Sequence, residues 1–259
     1  MTAADAFFER LREAGADPAF PVETHAYGAL PDQVADLRLP QRDGNSPVVI
    51  LLHGGFWRAQ WTRDLMASLA VELTRAGWAT WNVEYRGVGA GGGVPQSLDD
   101  VLAAHDLLTR VEAPVDRART IALGHSAGGQ LALGLAGQRA LMLTVSLAGV
   151  SCLAEAAALG IGNDAVRDFC AGMPTEVPHA YALADPVAHL PLRVPQLLVH
   201  GEGDDRVPVG LSRMWAQRAR ECGDTCELVT LAGVDHFALI DPTTDAWDEV
   251  ALRLPSPRG

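Results

Sequence analysis

The 259-residue sequence contains no lysine, and all 20 of its basic residues are arginines. Walker-type phosphate loops, Schiff-base catalysts and pyridoxal-phosphate enzymes need a lysine amine, so these classes are excluded. With 32 acidic residues, the formal net charge is −12. Nucleic acids and anionic membranes are bound through basic patches, so neither is expected as a partner.

Cysteines and long apolar runs are also scarce. The four cysteines lie at 152, 170, 222 and 226, and only the last two are close together. This spacing predicts free thiols rather than a zinc site. No stretch approaches the ~20 apolar residues of a membrane span. The first 15 residues mix acidic with apolar side chains, unlike a signal peptide, so a cytoplasmic location is expected.

Short apolar runs do alternate with segments of helical periodicity. The run VVILL at 48–52 is typical of a strand buried on both faces. Further strands are predicted at 78–85, 120–123, 142–147, 196–200 and 227–231. Helices are predicted at 2–14, 64–76, 97–111 (with Ser97 as its N-cap), 127–138, 211–222 and 244–254. This order predicts an α/β fold, with a mostly parallel sheet and helices on both faces.

One segment interrupts this alternation. Residues 151–190 are rich in alanine, proline and isolated polar residues. We interpret them as a small cap or lid within a single domain spanning 1–259. Ligand sites in parallel sheets lie at the carboxyl ends of the strands, and such an insertion would cover that edge.

The most informative motif is Gly124-His125-Ser126-Ala127-Gly128, which fits G-x-S-x-G and lies between a predicted strand and a predicted helix. A serine hydroxyl is a weak nucleophile unless a base can take its proton. A sharp turn presents the hydroxyl, and the N-terminus of the following helix favours negative charge nearby. Ser126 is therefore the candidate nucleophile, although a glycine-rich turn without catalytic function remains the alternative.

A second motif, His53-Gly54-Gly55-Phe56-Trp57, directly follows the strand VVILL. In serine hydrolases with this kind of sheet, the loop at this position donates backbone N–H groups to the oxyanion. We predict Gly55 and Phe56 as donors, together with Ala127. His53 itself is predicted to hold the loop in place.

The acid and the base of a triad should follow the serine in the chain. The loop after strand 196–200 carries Asp204 and Asp205, and His236 follows strand 227–231. A parallel sheet would bring these residues and Ser126 to one edge. Taken singly, His236 could be a surface histidine and Asp204 a turn residue.

From Val48 to Leu239 the sequence resembles the α/β-hydrolase superfamily. The resemblance implies that the acid is the first aspartate of Gly201-Glu202-Gly203-Asp204-Asp205-Arg206-Val207-Pro208, which favours Asp204. The motifs HGGFW, GHSAGG and VDHF together resemble the kynurenine formamidase (arylformamidase) branch and its carboxylesterase relatives. This likeness implies hydrolysis of a small ester or N-formyl arylamide, with neither metal nor organic cofactor.

Several aromatic residues near the strand ends are candidates for the substrate pocket. We predict Trp57, Tyr85 and Phe237 as substrate-binding residues, with Phe56 and Trp61 nearby, and expect Trp215 in the core. Two arginines, Arg58 and Arg86, could meet a substrate carboxylate or be solvated loop charges.

Three other interpretations stay open. The chain could be a general short-chain carboxylesterase, or an inactive hydrolase fold that serves as a binding module. The run Gly87-Val88-Gly89-Ala90-Gly91-Gly92 also matches G-x-G-x-x-G, which suggests dinucleotide binding. Because Pro95 and Ser97 put the helix start beyond the glycines, a flexible loop is favoured. A homodimer is also left open.

Overall fold

The computed structural model describes residues 3–258, which form one eight-stranded sheet flanked by helices. The strands are β1 (Glu23–Ala26), β2 (Val34–Arg38), β3 (Ser46–Leu52), β4 (Ala79–Val83), β5 (Val115–His125), β6 (Leu143–Leu147), β7 (Gln196–Gly201) and β8 (Cys226–Leu231). The α-helices are α1 (Ala3–Ala14), α2 (Ala67–Ala76), α3 (Gln96–Leu108), α4 (Ala127–Ala136), α5 (Leu153–Ala158), α6 (Ile161–Cys170), α7 (Pro178–Ala184), α8 (Gly210–Glu221) and α9 (Asp245–Ala251). None of the described helices is long and apolar enough to cross a membrane.

The strand order is β1-β2-β4-β3-β5-β6-β7-β8. All pairings from β4 to β8 are parallel, whereas β1 and β2 pair antiparallel at one end of the sheet. The predicted mostly parallel sheet is therefore confirmed. The sequence analysis did not predict β1, a four-residue strand with largely exposed side chains and no apolar alternation.

The apolar run in β3 divides between two cores, one on each face of the sheet. Val48, Ile50 and Leu52 pack with residues of α4 and α8, whereas Val49 and Leu51 pack with residues of α2 and α9. Successive side chains of a strand point to opposite faces. A central strand covered by helices on both sides therefore needs apolar residues at every position.

The helix boundaries differ from the prediction by up to three residues, and two of these differences affect the local structure. The segment 64–76 is a 3₁₀ turn, Arg63–Met66, followed by α2, which ends at Gly77 in the left-handed conformation with φ 110°. The prediction of Ser97 as an N-cap was wrong. Ser97 lies inside the first turn of α3, and its hydroxyl donates 2.7 Å to the Arg86 carbonyl instead. Thr2, the predicted start of α1, lies outside the described residues.

Residues 151–190 form α5, α6, α7 and a 3₁₀ turn, Pro186–His189, between β6 and β7. Because parallel strands run in one direction, the loops after β3, β5, β7 and β8 meet at one edge of the sheet. Those loops carry His53, Ser126, Asp204 and His236 respectively. The fold therefore gathers the candidate residues at the edge where ligand sites are expected.

Candidate active site

Ser126 lies in a tight turn between β5 and α4, with φ 56° and ψ −118°. Non-glycine residues rarely adopt a left-handed φ, and such strain is concentrated at functional sites. The turn also requires glycine on both sides. A Cβ atom at Gly124 would lie 2.0 Å from the Gly128 carbonyl oxygen, and one at Gly128 would lie 2.1 Å from that of Leu52. The strand and the helix thus cross closely enough to present the serine at the sheet edge.

Asp204 and His236 are joined by a hydrogen bond of 2.6 Å between Asp204 Oδ2 and His236 Nδ1. The Asp204 side chain is fully buried, and its Oδ1 accepts the backbone N–H groups of Arg206 and Val207 at 2.8 Å each. Burial opposes ionisation, but hydrogen bonds from His200, His236 and the backbone hold the pKa of Asp204 well below its usual range. An ionised Asp204 fixes the imidazole with its Nδ1 protonated, so that Nε2 is free to accept a proton.

Asp205, the alternative acid, is placed quite differently. Its side chain is 78% exposed and lies 3.3 Å from Arg206 Nε. Of the two adjacent aspartates, only Asp204 contacts the histidine.

Ser126 and His236 line one cavity of about 400 Å³. Its walls come from the loop after β3, the serine turn, the 151–190 segment and the loops after β7 and β8; they comprise Gly55, Phe56, Arg58, Trp61, Leu65, His125, Ser126, Gly160, Gly162, Asn163, Asp205, Arg206, His236 and Phe237. Among residues 3–258 no hydrogen bond joins the Ser126 hydroxyl to His236. In unliganded enzymes such catalytic bonds are often long and tighten with substrate.

The loop after β3 has three consecutive residues with positive φ: Gly55 at 110°, Phe56 at 54° and Trp57 at 55°. Gly55 has no space for a side chain, because a Cβ atom there would lie 2.4 Å from Trp61 Cβ. Gly55 and Phe56 line the cavity, and within the described part of the chain neither backbone N–H donates to a protein acceptor. Ala127, the first residue of α4, directly follows Ser126, and the first N–H groups of a helix lack an intrahelical acceptor.

Two of the three predicted substrate-binding residues are buried away from the cavity. Trp57 is 1% exposed, stacks on Phe169 at 4.4 Å and donates its indole N–H to Gln130 Oε1. Tyr85 is 2% exposed and donates its hydroxyl to the His53 carbonyl. The prediction of Trp57 and Tyr85 as substrate-binding residues was therefore wrong: both hold the loop from behind.

The third, Phe237, does line the cavity, as do Phe56 and Trp61. Trp215 lies in the core, where its indole N–H donates to Gln196 Oε1 at 2.8 Å.

The two arginines also differ in placement. Arg58 lines the cavity and donates to the carbonyl oxygens of Gly162 and Asn163, which ties the loop after β3 to the 151–190 segment. Arg86 forms a bidentate salt bridge with the carboxylate of Asp100 and lies outside the cavity lining. Arg86 therefore fits neither alternative: its guanidinium contacts Asp100 rather than the cavity, and its side chain is 18% exposed rather than solvated.

His125, the residue before the candidate nucleophile, was not predicted from the sequence to have a role in the site. Its ring is buried and lies 4.5 Å from the His236 ring, and its Nε2 donates to the His236 carbonyl at 2.9 Å. Burial, together with the charge of His236, lowers the pKa of His125 to about 3. A neutral His125 therefore holds the backbone of His236, the candidate base. The only signal in the sequence for the contact between His125 and His236 was that the variable position before the serine of the motif is a histidine.

The pKa of His125 predicts sensitivity of the fold to acid. In the unfolded chain the imidazole binds a proton below its ordinary value of 6.5, but in the fold only below about 3. Stability is therefore lost as the pH falls through this window, by up to about 3 kcal/mol between pH 6.5 and 4. His125→Gln keeps a donor near Nε2 and cannot titrate. We expect urea unfolding of this variant to lose less stability over that range than the wild type.

Asp204 does not interfere with this measurement. Its lowered pKa contributes stability that is lost only below its ordinary value of 3.8. Parallel stability profiles for wild type and His125→Gln above pH 4 would contradict the prediction.

Residues 84–254 match the prolyl oligopeptidase family. The chain belongs to this family. The matched range includes Ser126, Asp204 and His236 but begins after the HGGFW segment. An uncharacterized protein of Mycobacterium tuberculosis strain H37Rv is 30% identical over 196 residues, which are 74% of this chain and 64% of that protein. This chain thus spans less than two thirds of the length of that relative.

Two solved structures share the architecture of this family member. A truncated carbohydrate esterase from gut microbiota superposes with a TM-score of 0.77 at 19% identity, covering 91% of this chain and 95% of its own. A bacterial heroin esterase superposes with a TM-score of 0.75 at 23% identity, covering 98% and 90%. These likenesses show the fold, and the predicted α/β-hydrolase fold is confirmed.

The glycine run at 87–92 does not have the strand-glycines-helix arrangement of a dinucleotide fingerprint. Helix α3 begins at Gln96, so the glycines do not open this helix as the fingerprint requires. A Cβ atom at Gly92 would lie 1.9 Å from the Arg86 carbonyl oxygen, so this glycine is needed where the loop folds back on itself. The loop pairs with the segment after β3 through a bridge between Arg58 and Val88.

Proposed function

We propose that the protein is a serine hydrolase that cleaves a small ester or N-formyl arylamide through an acyl-enzyme, with Ser126, His236 and Asp204 as its triad. One observation carries the proposal: a histidine held at 2.6 Å by a buried aspartate shares a cavity with a serine in a strained turn. That combination supplies a nucleophile, a base and an orienting acid.

In the proposed mechanism Ser126 Oγ attacks the substrate carbonyl carbon while His236 Nε2 takes the hydroxyl proton. Asp204 stabilises the imidazolium that forms. His236 then donates the proton to the departing alkoxide or arylamine nitrogen, which leaves an acyl- or formyl-Ser126. Water, deprotonated by His236, attacks this ester and releases the acid and free Ser126.

The negative oxygen of each tetrahedral intermediate needs fixed donors. We assign the N–H groups of Gly55 and Ala127 to this role, with Phe56 as the next donor along the loop. The free amides of Gly55 and Phe56 at the cavity support the assignment. Each such donor typically contributes about 10²–10³ in rate.

The cavity favours a small substrate with an aromatic group. Phe56, Trp61 and Phe237 supply flat apolar walls, and about 400 Å³ lies at the lower end of small-molecule sites. This fits an aryl leaving group, as in the kynurenine formamidase branch that HGGFW resembles. The esterase neighbours favour a general short-chain carboxylesterase equally.

A turnover panel tests the proposal. Purified protein is assayed with N-formylkynurenine, with p-nitrophenyl acetate, butyrate and octanoate, and with a prolyl-peptide anilide, using Ser126→Ala as the blank. We expect Ser126-dependent turnover of the formyl arylamide and the short esters. Preference for the formyl arylamide would support the formamidase branch, and indifference to it the carboxylesterase. Turnover of the peptide anilide alone would overturn both.

A further inference from the structure

Both ring nitrogens of His53 are engaged at the base of the loop that follows β3. Nδ1 lies 2.7 Å from the Gly54 carbonyl oxygen, and Nε2 lies 2.9 Å from Glu84 Oε1. The ring is 2% exposed and stacks on Tyr85 at 4.3 Å with an interplanar angle of 10°. The side chain is therefore held in one orientation.

Glu84, at the carboxyl end of β4, is itself fixed. Its Oε2 accepts the Arg63 backbone N–H at 2.8 Å, and Arg63 Nε in turn donates 2.8 Å to Asp36. Burial opposes ionisation of Glu84, but His53 and Arg63 lower its pKa below the usual value. An ionised Glu84 can only accept, as can the Gly54 carbonyl. Both bonds to the ring therefore form together when each nitrogen carries a proton.

The bond to Gly54 fixes the direction of a peptide unit. In a trans peptide the C=O and the following N–H point in opposite directions. Since the Gly54 carbonyl points at His53, the Gly55 N–H points away from that ring, and Gly55 lines the cavity. Gly54 has no side chain and Gly55 has φ 110°, so the conformational preferences of these two residues do not by themselves fix the orientation of this unit.

We infer that His53 is a positioning residue for catalysis: through Nδ1 it holds the Gly54–Gly55 peptide so that the Gly55 N–H serves as an oxyanion donor, and Glu84 keeps the ring in place. This inference rests on the proposed function. The alternative is a purely structural role, in which the only contribution of His53 is the hydrogen bond between its Nε2 and the buried Glu84 carboxylate.

Two variants of His53 separate these roles. His53→Asn puts an amide N–H near the position of Nδ1, within reach of the Gly54 carbonyl, but loses the hydrogen bond to Glu84. His53→Gln puts an amide N–H near the position of Nε2, within reach of Glu84, but loses the hydrogen bond to the Gly54 carbonyl. For each variant kcat and KM are measured on the best substrate of the panel, and folding is followed by thermal denaturation.

We expect His53→Gln to lower kcat by about 10²-fold, the typical effect of one lost oxyanion donor, with KM within about twofold of wild type. His53→Asn should keep kcat within about fivefold of wild type, even if its melting temperature is lower. The reverse order, equal losses in kcat, or a change confined to KM would overturn the inference. A wild type without turnover or fluorophosphonate labelling would instead refute the proposed function itself.

Discussion

Replacing Ser126 with alanine is expected to abolish hydrolysis and covalent labelling by a fluorophosphonate. In the proposed mechanism this hydroxyl forms the acyl-enzyme, and no other described serine lines the cavity. Loss of the nucleophile costs about 10⁶-fold in kcat in a well-studied serine protease. We expect residual turnover at least about 10⁴-fold below wild type, measured with p-nitrophenyl acetate, and no labelled band.

Ser151→Ala is the matched control. Ser151 is also fully buried, but its hydroxyl donates to the Leu211 carbonyl at 3.1 Å and it lies outside the cavity lining. We expect this variant to keep wild-type labelling and to lose some thermal stability. Labelling that persists in Ser126→Ala, or that disappears in Ser151→Ala, would contradict the assignment of the nucleophile.

The sequence allowed the sheet to be predicted because two independent signals agree on it. Runs such as VVILL are apolar at every position, short and rich in β-branched residues, which is typical of a strand buried on both faces, and the segments between them have helical periodicity. Parallel strands then place the ends of β3, β5, β7 and β8 at one edge without further information. This is why residues as distant in sequence as Ser126 and His236 were expected at one place.

The direction in which side chains point at the strand ends could not be predicted from the sequence. Trp57 and Tyr85 are close to the cavity in the chain, but the positive φ values at 55–57 turn Trp57 inward onto Phe169. No local sequence pattern predicts three successive residues in the left-handed backbone conformation when two of them are aromatic. The ionic partner of Arg86 could not be predicted for a related reason. Asp100 lies 14 residues away on α3, and the two side chains meet only in the packed fold.

We expect Asp204→Asn to lower kcat almost as much as the loss of the Ser126 hydroxyl does. The carboxylate accepts hydrogen bonds from His236 Nδ1 and from the backbone N–H groups of Arg206 and Val207. With its oxygen held by the backbone groups, an asparagine would present its NH₂ to the histidine. The imidazole would then carry its proton on Nε2 and could not accept one from Ser126. In a serine protease with the same triad, this substitution lowers kcat by about 10⁴.

The neighbouring aspartate provides the control. Asp205→Asn removes the same charge one residue away, from a side chain that also lines the cavity but is 78% exposed and pairs with the exposed Arg206. The ion pair contributes little to stability, and the hydrogen bond to His236 comes from Asp204. We therefore expect kcat to stay within about twofold of wild type, with any effect of the cavity position of Asp205 confined to KM. Comparable losses at 204 and 205 would mean that the cavity responds to negative charge in the loop rather than to an aspartate bonded to His236, and the proposed triad would then lose its acid.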